Sequence, residues 1–163
     1  MKKNINFIDI SIKNANELLE ETHHYIKWQA PLDVAPMSRD DVFKVSCEAM
    51  RVTVRITQIL GWLMLQKAVL EGELSREDVL SDKPNILQGK PCLESSSETD
   101  PLLPLRLREL LKKSRSLYLQ TMRLEESSLK NASLSEGTRK KGDKGYHAVP
   151  LLCIKKNTSD SEN

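Results

Sequence analysis

The sequence predicts an all-α protein, an antiparallel three-helix bundle with a long central helix and a disordered C-terminal tail. Three observations carry this. Apolar residues recur every three or four positions in three stretches of the first 129 residues, clusters of proline, glycine and serine separate those stretches, and the period stops beyond Leu129. The expected organisation is a bundle over 1–129, with a flexible linker at 81–101, and a basic tail over 130–163 holding a short apolar segment at 146–154.

The first helix follows from Ile8, Ile12, Ala15, Leu19 and Ile26, a stripe of coiled-coil width that spans about 8–28. Pro31 and Pro36 then interrupt, because proline lacks the N–H that a continuing helix needs. Ser38 and Asp41 have capping-box spacing, so the second helix starts near Ser38 and meets no breaker until Gly72. Gly61 lies inside it at a cost of roughly 1 kcal/mol relative to alanine. Ser75 and Asp78 repeat the cap spacing and suggest one short helix. Residues 81–101, with Pro84, Gly89, Pro91, three consecutive serines and Pro101, have loop composition and read as a mobile, exposed connection. The third helix begins at about Pro101–Pro104, and Leu103, Leu107, Leu110, Leu117, Thr121 and Leu124 form its apolar side.

Composition allows one domain and a tail. The chain has 163 residues, of which 39% are apolar, 4% aromatic and 29% charged, with a formal net charge of +2. Cys47, Cys92 and Cys153 are an odd number with no C-x-x-C pair, which suggests neither a disulfide framework nor a thiolate zinc site and fits a reducing cytosol. The longest apolar stretch, Ile59 to Leu70, is broken by Gln66 and Lys67 and falls short of the ~20 residues a membrane span needs. No secretory signal follows Met1, so a cytoplasmic protein without a membrane segment is expected.

Plotted at about 100° per residue, the second helix has two apolar faces. Phe43, Cys47, Met50, Val54, Gly61, Leu65 and Ala68 gather on one, and Val45, Ala49, Val52, Ile56, Ile59 and Leu63 on the other. Both need cover, so Met50, Val54, Ile56, Leu63 and Leu65 are assigned to core or dimer contacts, and a homodimer built partly on this helix is expected. Between the faces runs a polar flank of Lys44, Glu48, Arg51, Arg55, Gln58, Trp62 and Gln66. Trp62 has two readings there, an indole folded over the core edge or an interface anchor beside arginine. Arg51, Arg55, Gln58, Trp62 and Gln66 are the candidate partner-binding residues of the bundle. Tyr146, Val149, Leu151 and Leu152 are those of the tail, where a short apolar segment between lysines suits a recognition peptide or a hook on the chain's own fold.

The run from Glu48 to Val69, with Met50-Arg51-x-Thr53-x-Arg55, then Gln58, then Trp62-Leu63-x-x-Gln66-Lys67-Ala68-Val69, resembles the signature helix of an alphaproteobacterial family related to RcdA, the regulator of CtrA degradation. Leu103-Pro104, Leu117-Tyr118 and Arg123-Leu124 resemble the last helix of that family. The pattern departs at Gly61, and the linker and tail carry no match. The resemblance implies a dimeric three-helix bundle acting as an adaptor, with protein clients and an ATP-dependent protease of the ClpXP type or its co-adaptors as partners, in the degradation of cell-cycle regulators.

Catalysis has no support in the sequence. His23 and His24 are adjacent and point about 100° apart on a helix, and no metal-protease, phosphate-loop or nucleophile-elbow motif occurs. No cofactor is expected. The alternative to a protein adaptor is a nucleic-acid-associated regulator using Arg139, Lys140, Lys141 and Lys144 on the tail. Few aromatic side chains stand ready to stack on bases, which makes nucleic acid the weaker expectation.

Overall fold

The computed structural model describes residues 2–82, 87 and 89–136, and its core is three long helices. α1 (Lys2–His24) runs without a break into a π turn (Tyr25–Gln29) and α2 (Ala30–Val34); α3 (Arg39–Glu71) is the central helix. A connection holding α4 (Arg76–Asp82), α5 (Lys90–Leu93) and a 3-10 turn (Ser96–Glu98) leads to α6 (Leu105–Glu136). The expected helical bundle is present.

Local chemistry sets the ends of α3 where the sequence places them. Ser38 caps it, with Oγ accepting from the Asp41 N–H at 3.3 Å, and Gly72 closes it in the left-handed region at φ 79°. Ser75 caps α4 in the same way, accepting from the Asp78 N–H at 3.1 Å. The first helix is longer than predicted. It passes through Pro31 because the Ala30 N–H bonds the Tyr25 carbonyl across a widened turn, and Pro31 then falls in the first turn of α2, where no N–H is needed. That turn brings Tyr25 into the core and leaves Ile26 40% exposed, against the expected stripe. α6 runs on to Glu136, so residues 130–136 belong to a helix rather than to the tail.

Antiparallel packing holds for α1 against its neighbours. Asp9 pairs with Lys67 at one end, while Tyr25 and Val45 share a core cluster at the other. The relation of α3 to α6 differs from a simple up-and-down bundle, because these two run parallel. Val45 and Val52 pack in one cluster with Leu103 and Leu107, Arg55 meets Leu111, and Gln58 meets Tyr118.

A parallel pair needs a chain that travels back the length of the bundle, and the described residues between 72 and 104 lie along that path. Arg76 reaches the Ser128 carbonyl, the Leu87 N–H meets Glu125, Cys92 lies beside Gln58, and Glu94 lies beside Arg55. Glu98 pairs with Arg115, and Asp100 with Lys44. The described part of the expected mobile linker is therefore a strap along α3 and α6, with Leu87 and Cys92 buried. Loop composition misled because the strap is held by hydrogen bonds to its backbone rather than by a side-chain period.

Candidate interaction surface

The two apolar faces of α3 meet different fates. Val45, Ala49, Val52, Ile56, Ile59 and Leu63 are buried against α1 and α6. On the other face Phe43 is 72% exposed, Met50 68%, Met64 56% and Val54 39%, with Cys47 and Gly61 also open and Leu65 half-buried. Of the residues assigned to core or dimer contacts, Ile56 and Leu63 are core, while Met50 and Val54 face outward without cover from the described residues.

The polar flank of α3 is where expectation and structure part. Instead of facing solvent it faces the strap. Arg55 is fully buried: Nε donates to the Cys92 carbonyl at 2.8 Å, Nη1 to the Leu111 carbonyl at 3.0 Å and to Ser114 Oγ at 3.3 Å, and Nη2 to the Glu94 carbonyl at 2.6 Å. Burial lowers the Arg55 pKa, and the Glu98 charge opposes the shift. α5 is a single turn whose last carbonyls have no helical partner, and Arg55 with Arg115, which donates to the Leu93 carbonyl at 3.0 Å, satisfies them.

Its neighbours are drawn in likewise. Gln58 Oε1 accepts from the Tyr118 hydroxyl at 2.9 Å, and Trp62 is only 5% exposed in the core cluster with Tyr118. Arg51 pairs with Glu48 at 3.3 Å and Gln66 is half-buried. The assignment of Arg55 to partner binding is corrected, because backbone carbonyls consume it; of the two readings of Trp62, the structure has the indole folded over the core. Tyr146, Val149, Leu151 and Leu152, with Arg139, Lys140, Lys141 and Lys144, lie outside the described residues.

Sequence reasoning missed the residues that answer Arg55. The available signal was on α6, where Ser114, Thr121 and Glu125 interrupt the apolar stripe and are all buried. Polar residues buried on one helix imply polar partners on what packs against it. Thr121 instead bonds its own helix, donating to the Leu117 carbonyl at 2.9 Å. Among the described residues no group of three or more His, Cys, Asp or Glu could hold a metal ion, and no helix is long and apolar enough to cross a membrane.

Residues 5–142 match the family described as protein of unknown function DUF1465. The chain belongs to this family. Its fold is similar to the crystal structure of RcdA from Caulobacter crescentus CB15, with 27% sequence identity, a TM-score of 0.59, and coverage of 74% of this chain and 89% of that one. No curated protein matches the chain. The DUF1465 match spans most of α1 and all of α3, the strap and α6, so it includes both the open face of α3 and the buried arginine beneath Cys92.

Proposed function

We propose that this RcdA-like chain is a non-enzymatic cytoplasmic adaptor, a homodimer formed through the open face of α3 that brings selected regulators to an ATP-dependent protease of the ClpXP type or to its co-adaptors. The observation that carries the reading is the stripe Phe43, Cys47, Met50, Val54, Thr57, Gly61 and Met64, all exposed. Its steps alternate four and three, the 3.5-residue period on which two helices stay in contact. Full burial of a large apolar side chain contributes roughly 1.5–3 kcal/mol, so covering Phe43, Met50 and Met64 outweighs the roughly 1 kcal/mol cost of Gly61 in a helix. Among the described residues nothing outside its own stretch of helix lies within 4 Å of where a Gly61 side chain would begin, so the described packing does not require glycine there. Close approach of a second copy would require it.

Similarity to RcdA supports the adaptor role, and the absence of a helix-borne catalytic pair in the sequence fits it. The test adds purified chain to a reconstituted ClpXP reaction with a regulator captured alongside it from lysate. Faster degradation of that regulator is expected. A chain that binds neither protease nor co-adaptor and leaves turnover unchanged overturns the adaptor role, while monomeric sedimentation at about tens of micromolar overturns the dimer.

A further inference from the structure

The π turn at Tyr25–Gln29 borders an open cleft of about 250 Å³ lined by Gln29, Asp33, Met37, Pro104, Leu105 and Arg106. Tyr25, Gln29, Asp33 and Met37 are four residues apart. A series with that spacing drifts about 40° per step round a straight α-helix, and one wider turn takes part of the drift back. The π turn thus helps keep Tyr25, Gln29 and Asp33 on the side facing the start of α6, and Met37 follows in the turn after α2.

Two polar groups beside the cleft answer only each other. The Tyr25 hydroxyl, on a side chain 1% exposed, and Asp33 Oδ2 are both buried and lie against each other, the phenol towards the carboxylate, with no other hydrogen-bond partner among the described residues. Burial first, and the adjacent Asp33 charge second, raise the Tyr25 pKa, so the phenol keeps its proton and the pair carries one negative charge. The cation on the cleft wall does not answer that charge. Arg106 is already paired with Glu21 and Glu109, and Lys113 also holds Glu21. Asp33 has no ion-pair partner among the described residues.

We propose that this cleft receives one lysine or arginine side chain of a bound peptide, with its charged tip on the Asp33 carboxylate, which the Tyr25 hydroxyl backs from the core side. The methylene stem lies against Met37, Pro104 and Leu105. Size limits the guest, since small-molecule and cofactor sites run to about 300–1,000 Å³, whereas this cleft suits a single long side chain. The surroundings favour apolar flanks on the peptide. Leu105 is 65% exposed and Leu32, next to Asp33, is 74% exposed. The site goes beyond the adaptor reading and stands without it.

The test titrates isotope-labelled full-length chain with three blocked tripeptides, Leu-Arg-Leu, Leu-Gln-Leu and Leu-Glu-Leu, and follows amide shifts. Leu-Arg-Leu should move Gln29, Asp33, Met37, Leu105 and Arg106. Binding should fall about tenfold or more for Leu-Gln-Leu and for Asp33→Asn, the loss expected when a charge-assisted bond is removed. Tyr25→Phe should weaken it severalfold. Unchanged thermal melts of both variants would show that the fold is retained, and a variant that fails to fold leaves the three-peptide comparison on the unaltered chain to decide. Equal shifts from the arginine and glutamine peptides, or none from either at millimolar concentration, overturn the proposal.

Discussion

Arg55 Nε donates to the carbonyl oxygen of Cys92 at 2.8 Å, joining residues 37 positions apart. Through this bond the centre of α3 holds the strap that makes a parallel α3–α6 pair possible. A buried cation is costly unless its donors are used, and here the guanidinium fork reaches three backbone carbonyls and one hydroxyl.

Replacement of Arg55 by methionine keeps much of the volume but leaves the strap carbonyls without their donor. The expected loss is about 2–4 kcal/mol, from several buried acceptors at roughly 1–3 kcal/mol each, partly offset by the removed desolvation cost. Lysine should recover only part, having no fork. Urea unfolding of Arg55→Met within 0.5 kcal/mol of the unaltered chain, on the order of a surface substitution, would refute the role.

Gly61→Ala separates folding from association. With open space at the site, alanine should stabilise the isolated chain by about 0.5–1 kcal/mol. The same methyl should weaken a dimer that packs closely there. Unfolding at low concentration and sedimentation at high concentration read the two effects, and a dimer strengthened by alanine would contradict close approach at residue 61.

Charge substitutions on the two faces of α3 should diverge. Ile56→Asp and Leu63→Asp place a carboxylate in the core and should abolish cooperative folding, while Val54→Asp should leave a folded monomer. Circular dichroism with sedimentation distinguishes the outcomes. Loss of helix in Val54→Asp would mean that the monomer cannot fold without its partner.

Acid and alkali should act through different residues. Burial tends to raise the Glu21 pKa, but its bond from Lys113 and the charges of Arg106 and Lys113 hold it below the usual carboxylate value. A carboxyl depressed in the folded state contributes stability above its unfolded pKa and loses it as pH falls, so Glu21→Gln should flatten the decline in melting temperature below about pH 4.5. Tyr25 has the opposite sign. Its raised pKa favours the neutral phenol, so the folded state should lose stability above about pH 10, where the unfolded phenol ionises, and Tyr25→Phe should remove that loss. Melting curves across both ranges test the assignments.

The sequence by itself determined the three long helices, the caps at Ser38 and Gly72, the two apolar faces of α3 and the family motif, because each is written in residues within a few turns of one another. Periodicity placed Ile56 and Leu63 on one face and Met50 and Val54 on the other, but it could not say which face the chain covers. Tertiary structure decided that, since cover depends on how α1 and α6 reach α3. It also decided the fate of Arg55 and the placement of the described residues between 72 and 104. A guanidinium reads as solvent-facing when its partners are backbone carbonyls, because every residue carries a carbonyl and no side-chain pattern reveals which ones will be left without a helical donor.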